Sequence, residues 1–212
     1  MWHDFHFWTL VLEFAVAAVF AYLLGGINGA IITSKYFYKK DVRDYGSGNA
    51  GLTNFYRVFG KYGLVLVIAI DILKTVIPVL FAGWLLGRSD MWLEGSAFAG
   101  FFAMLGHAYP LYYGFKGGKA VMAGGTLVWF VDWRIAIIVW LAFALAVLLT
   151  RYVSLGSVAA GVLYPVSMAA LGIDYGFALI MVTLSGALLI FRHKDNIKRI
   201  IKGNESKLHF RK

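Results

Sequence analysis

Seven apolar runs joined by polar connections constrain this chain more than any other feature. A helix rises about 1.5 Å per residue, so crossing a hydrocarbon layer about 30 Å thick takes about 20 mostly apolar residues. The runs are Trp8–Ile32, Tyr62–Leu86, Trp92–His107, Lys119–Val131, Arg134–Leu149, Ser154–Leu171 and Tyr175–Phe191. Lipid offers no hydrogen-bond partner to backbone amides, and no even series of alternating ten-residue strands is present. The expected fold is therefore all-α: a polytopic membrane protein built as a seven-helix bundle. The balance of residues agrees, with 60% hydrophobic and 15% charged, against about 25% charged in soluble domains. The fourth run is too short to span, so its N-terminal end is expected to stop inside a protein-lined cavity, where irregular backbone is tolerated.

Lys and Arg set the orientation. Of the 20 cations, 17 fall on one side of this arrangement. They are Lys35 to Lys61, then Lys116, Lys119 and Arg151, then eight from Arg192 to Lys212. Arg88 and Arg134 fall on the other side, and Lys74 lies within a run. This places the basic loops and the C-terminus in the cytoplasm and the N-terminus outside. The first run lacks a basic n-region and is too long for the apolar stretch of a signal peptide, so it is expected to remain as a helix. No repeat or linker divides the chain, and residues 1–212 are expected to form one membrane domain. The net charge of +9 is distributed between spans rather than on a soluble face, which argues against a nucleic-acid partner. The chain has no cysteine, so thiolate metal sites, disulfides and a cysteine nucleophile are excluded.

Three polar, glycine-rich or basic segments interrupt the apolar pattern: Gly46–Arg57 (GSGNAGLTNFYR), Gly106–Lys119 (GHAYPLYYGFKGGK) and Arg192–Lys207 (RHKDNIKRIIKGNESK). All three fall on the cytoplasmic side. Glycines let amides approach an anion, hydroxyls and amides donate to it, and Arg or Lys neutralise it, so their convergence suits a phosphate. Gly46, Gly48 and Gly51 spell a dinucleotide fingerprint, but their flanks are membrane runs rather than a βαβ unit. Tyr113 stands where a Walker A loop needs glycine.

In the first segment, Ser47, Asn49, Thr53, Asn54 and Arg57 are spaced through the glycines as donors of an anion nest with an Arg clamp. In the second, Gly117 and Gly118 between Lys116 and Lys119 are expected to present free amides and ammonium groups ahead of a helix N-terminus. His107 reads equally as a helix-end residue or a proton-transfer group. His193 and Asn196, three apart, share a helical face that could point into the bundle. Ser154 is a natural N-cap for the sixth helix, and a phosphate at that helix start would explain it equally well. Asp71 and Lys74, also three apart, are expected to form an intramembrane ion pair.

Taken together the segments resemble the bacterial acyl-phosphate:glycerol-3-phosphate acyltransferase family, known as PlsY. GSGNAGLTNFYR is similar to its GSGNxGxTNxxR, GHAYPLYYGFKGGK to its GHxxPxxxxFKGGK, and RHKDNIKRIIKGNE to its His-x-x-Asn-Ile element with Arg, Gly and Glu. Arg151–Leu155 and Asp71–Lys74 also fit. One departure is Ala120-Val121-Met122-Ala123, where the family continues Gly-Val-Ala-Thr. The added methyl and lost hydroxyl bear on rate or substrate preference.

The resemblance implies transfer of a fatty acyl chain from acyl phosphate to the sn-1 hydroxyl of glycerol 3-phosphate. The products are lysophosphatidic acid and phosphate, formed at the cytoplasmic face of a bacterial inner membrane, with no acyl-carrier protein and no cofactor. It assigns catalysis to Arg57, Lys116, Ser154, His193 and Asn196. Substrate phosphates fall to Gly46, Ser47, Gly48, Asn49, Gly51, Thr53, Asn54, His107, Gly117, Gly118 and Lys119.

The His-x4-Asp dyad of other acyltransferases is absent: the fifth residue after His3, His6, His107 and His193 is Trp8, Val11, Tyr112 and Lys198. Catalysis is therefore expected to come mostly from holding two phosphates so that hydroxyl and acyl carbon meet. The hydroxyl proton goes to His193 or to the donor's own phosphate, and a second phosphate pKa near 6 favours the phosphate. The cations already neutralise phosphate and no carboxylate cluster is visible, so no metal is required. An organophosphate transporter would use similar loops but commonly shows inverted repeats with paired broken helices, which are absent here. A CDP-alcohol phosphotransferase would need an Asp-Gly-x-x-Ala-Arg run, also absent.

Overall fold

The computed structural model describes residues 2–173 and 176–208. Tyr175, where the seventh run begins, and the tail cations Arg211 and Lys212 lie outside the described residues. Among the described residues ten α-helices follow one another: α1 Trp2–Gly25, α2 Gly29–Tyr38, α3 Leu52–Phe59, α4 Leu64–Gly87, α5 Trp92–Ala108, α6 Val121–Val131, α7 Trp133–Thr150, α8 Val153–Ala170, α9 Gly176–Arg192 and α10 Lys194–Ile201. Among the described residues there is no strand, and the fold is that of an integral membrane all-α protein. Four stretches are long and apolar enough to cross a bilayer: His6–Tyr38, Leu64–Gly87, Trp133–Thr150 and Val153–Ala170. The pair α9 and α10, bent by 53°, makes a fifth when taken as one span.

The first run differs from expectation. It is a helix that breaks at Gly26–Asn28 and restarts as α2 rather than one continuous span. Asn28 caps the restart, its Oδ1 accepting from the Ile31 amide at 3.0 Å, which satisfies an amide that a helix start leaves without a partner. α1 packs closely on α5, because a Cβ at Gly106 would collide with the Tyr22 carbonyl. Bare backbone of this kind is how helices approach in lipid, where apolar side chains gain little from leaving the solvent.

α6 is short, as expected. Its 11 residues cover about 16 Å, roughly half the hydrocarbon thickness. Ala123, Leu127 and Val128 bury it against α4, α5, α7 and α9 in a core with Met104, Ile135, Met168 and Val182. Lys119 and Ala120 stay outside the helix, and the polar stretch before α6 is held by protein partners, Gly118 by the His107 carbonyl and Lys119 by Asn196.

Candidate active site

The three polar segments converge. Asn28, besides capping α2, donates from Nδ2 to the Ala50 carbonyl at 3.1 Å and so fixes the first segment. Arg43 reaches from beside that segment to the second, donating to the Tyr113 and Lys116 carbonyls at 3.3 Å each. Its guanidinium, together with the nearby Lys35 ammonium, also pairs with Asp41. Arg192 ties the third segment to the second through the Gly118 carbonyl at 3.1 Å. Lys119 donates directly to Asn196 Oδ1. Three stretches distant in sequence thus share one cavity of about 470 Å³.

The cavity wall includes Ser47, Asn49, Gly51, Thr53, Asn54 and Arg57 from the first segment, and His107 and Lys119 from the second. Ser154 of α8 joins them with His193 and Asn196 of the third. Gly46, Gly48, Lys116, Gly117 and Gly118 do not line it. Lys116 has an exposed side chain, and only its carbonyl enters the network.

The glycine-rich stretch is not an open nest. Ser47 N–H donates to Asn54 Oδ1 at 2.9 Å, Gly48 N–H to the Tyr45 carbonyl at 3.1 Å, and Gly51 N–H to the Asn49 carbonyl at 3.0 Å. These donors are already engaged. Asn54, expected as a phosphate donor, is buried and staples the turn, since its Nδ2 also donates to the Val42 and Tyr45 carbonyls. Gly46 (φ 62°) and Gly48 (φ 69°) serve the turn, in backbone conformations a side chain would strain. What faces the cavity instead is the first turn of α3, whose cap Gly51 offers no side chain to its amides, with Arg57 one turn on. Arg57 has no ion pair among the described residues and is exposed.

The second segment departs in the same way. Gly118 N–H donates to the His107 carbonyl at 3.1 Å, so it is not free for an anion, and α6 begins only after Ala120. Lys119 is the cation the loop delivers. Burial, together with the neighbouring Arg199 and Arg192, lowers its pKa to about 8 against the pull of Glu205 and Asp195.

Ser154 is not an N-cap. Tyr152 holds that position and Ser154 lies one residue inside α8, so its hydroxyl is released to donate to Glu205 Oε1 at 2.7 Å. Glu205 is the principal residue that sequence reading left unassigned. It accepts from Asn196 Nδ2 at 2.6 Å and from Arg199 Nε at 2.8 Å. The tail that carries it returns to α8 through a bond from Leu208 N–H to the Arg151 carbonyl at 2.8 Å. Its presence in the GNE run was the only available signal.

His193 Nδ1 lies 2.8 Å from the Leu189 carbonyl, which can only accept, so its N–H is there and Nε2 keeps its lone pair. Burial, then the charges of Lys119 and Arg192, depress its pKa to about 4, outweighing the hydrogen bond to Leu189. Asp71 and Lys74 do form the expected ion pair, at 2.8 Å and buried. Beside the main cavity a smaller apolar slot of about 40 Å³ runs between α6, α7, α8 and α9. The two share Val121, Trp140 and Phe143. The arrangement sets a polar, cation-lined cavity beside an apolar slot.

Residues 15–203 match the family described as glycerol-3-phosphate acyltransferase. A glycerol-3-phosphate acyltransferase of Staphylococcus saprophyticus is 39% identical over 197 residues, covering 91% of this chain and 96% of that protein. The crystal structure of PlsY (YgiH), an integral membrane glycerol 3-phosphate acyltransferase in its glycerol 3-phosphate form, superposes with a TM-score of 0.82 at 35% identity. It covers 92% of this chain and 96% of that one. The lysophosphatidic acid form of the same enzyme gives 0.80 at 34% identity, over 92% and 95% of the two chains.

Proposed function

The chain belongs to the glycerol-3-phosphate acyltransferase family and is a membrane enzyme of that activity, and from that premise we propose that its acyl donor is an acyl phosphate. The hydroxyl of glycerol 3-phosphate attacks the acyl carbon, giving 1-acyl-glycerol 3-phosphate and inorganic phosphate. The observation that carries this reading is the convergence of Arg57, Lys119, Ser154, His193 and Asn196 on a polar cavity that shares a wall with an apolar slot. An acyl phosphate has one end for each. Neither acyl-carrier protein nor a thioester donor is needed, because phosphate itself is the leaving group.

Arg57 and Lys119 carry the two phosphates, with the α3 amides, Ser47, Asn49 and Thr53 as neutral donors. Asn196, oriented by Glu205, completes the donor set with its second amide hydrogen, while the Ser154 hydroxyl, its hydrogen given to Glu205, keeps only acceptor capacity. The hydroxyl proton passes to the departing phosphate rather than to His193. Burial and the nearby Lys119 and Arg192 charges push the His193 pKa down to about 4, which makes it a weaker base than a phosphate with a second pKa near 6.

We place the cavity on the cytoplasmic side of a bacterial inner membrane, with seven crossings and the N-terminus outside, as one domain. The placement of 17 of 20 cations supports it. The test is direct. Purified protein given acyl phosphate releases phosphate only when glycerol 3-phosphate is present, and acyl-CoA or acyl-carrier protein yields no lysophosphatidic acid. Turnover with either thioester donor alone overturns the donor assignment.

A further inference from the structure

Lys74 lies buried within α4, and three acceptors surround its nitrogen. They are Asp71 Oδ1 at 2.8 Å, the Ile27 carbonyl at 2.8 Å and His107 Nδ1 at 2.6 Å. An ammonium has three N–H bonds and no lone pair, while a neutral imidazole has one nitrogen that accepts and one that donates. If carboxylate, carbonyl and Nδ1 each take one ammonium hydrogen, the imidazole proton sits on Nε2. The whole group then carries no net charge, the arrangement least costly to bury in a membrane bundle.

The His107 ring also forms part of the cavity wall. Gly118 packs against Nε2, and a Cβ at that position would collide with it. The glycine therefore keeps a side chain off the ring nitrogen that Lys74 does not engage. Neither ring nitrogen has a lone pair to spare, so this histidine can donate a hydrogen bond but cannot take a proton.

We propose that His107 is a fixed hydrogen-bond donor in the acyl transfer, its Nε2–H held toward the oxyanion, with Lys74 and Asp71 as positioning residues that act through it. The proposal rests on the reaction inferred above. The hydroxyl oxygen forms a bond to the acyl carbon, and the carbonyl π pair moves onto the carbonyl oxygen, where the Nε2–H meets it. The pair then returns, the bond to the phosphate oxygen breaks with its electrons going to phosphate, and phosphate keeps the hydroxyl proton. His107 enters and leaves neutral.

The test compares His107→Leu and His107→Gln by glycerol 3-phosphate-dependent phosphate release in detergent, with glycerol 3-phosphate binding and thermal unfolding measured alongside. Glutamine can place an N–H near the position of Nε2, and leucine cannot. The expected result is a kcat lower by about 10²–10³-fold in His107→Leu. Its KM for glycerol 3-phosphate stays within about threefold of wild type, and His107→Gln loses less than about tenfold. A kcat within threefold of wild type in His107→Leu overturns the proposal. So does a raised KM at unchanged kcat, or a glutamine variant as slow as leucine although both bind glycerol 3-phosphate. If His107→Leu does not fold, His107→Gln against His107→Asn decides, since asparagine reaches only the Nδ1 position and should be at least tenfold slower; equal rates overturn the donor role. Wild-type protein without turnover overturns the reaction itself and the proposal with it, whereas active wild type with fast His107→Leu overturns only the role of His107.

Discussion

Ser154 and Glu205, 51 residues apart in the chain, meet in a hydrogen bond of 2.7 Å from hydroxyl to carboxylate. Burial works against ionisation of Glu205, but the bonds it accepts from Asn196, Ser154 and Arg199 outweigh that cost and hold its pKa below the ordinary value. The result is an anion fixed among the cations of the cavity, holding Ser154 and Asn196 in place.

Replacing Glu205 by Ala therefore leaves the Ser154 and Asn196 donors without their acceptor and removes the counter-charge beside Lys119 and Arg199. The expected outcome is a fall in kcat/KM for glycerol 3-phosphate of about tenfold or more. Glu205→Gln, which keeps one acceptor oxygen, should fall less. Steady-state phosphate release from purified variants separates the two, and equal losses would show that the charge rather than the acceptor matters.

Arg57 and Lys116 should part company. Both are cations of the signature segments, but Arg57 lines the cavity without an ion pair while Lys116 points to solvent. Arg57→Ala is expected to lower kcat/KM by about 10²–10³-fold with little change in thermal unfolding, since the side chain serves ligand rather than packing. Lys116→Ala should cost less than about fivefold. A large loss at Lys116 would mean that its side chain enters the cavity during turnover.

The difference between those residues shows where sequence reading ends. Apolar runs report burial in lipid, and six of the seven matched helix ends to within one or two residues, as with Trp92–His107 against α5 at Trp92–Ala108. The break after Gly25 was missed, although Gly-Gly-Ile-Asn-Gly carries both a helix stop and an N-cap. The apolar residues on either side masked it. The three site segments stood out because charge and glycine are rare between spans. What each residue does within them was not legible, because partners come from elsewhere in the chain. Asn54 became a turn staple through Val42 and Tyr45, and Ser154 was drawn from a local capping role to the distant Glu205. α3 was hidden because an eight-residue amphipathic helix behind a glycine cap looks like continued loop.

Lys119 sets an alkaline limit. With a pKa lowered to about 8 by burial and by Arg199 and Arg192, its cationic form, the one proposed to bind phosphate, dominates below that pH and is lost as pH rises through it. The kcat/KM for glycerol 3-phosphate, which reports the free enzyme, should decline above about pH 8. In Lys119→Arg the guanidinium stays charged throughout this range, so the decline should disappear even if the overall rate is lower. An unchanged alkaline limb in that variant would assign the ionisation to another group.

Lys74 and Asp71 make the strongest stability prediction, because each is buried and each is the other's counter-ion. Lys74→Met removes the ammonium but leaves the carboxylate with only the Gly29 amide at 3.2 Å. Breaking one side of a buried pair costs about 3–5 kcal/mol, or a fall in Tm of about 6–20 °C for a chain of this size. Asp71→Leu combined with Lys74→Met removes both charges, so the stranded carboxylate is gone and part of the stability should return. The double variant is therefore expected to melt above the single lysine variant, a non-additivity that thermal unfolding in detergent can read. Losses that simply add would mean that the two side chains contribute independently, and that the pair does not hold α4 to the break before α2.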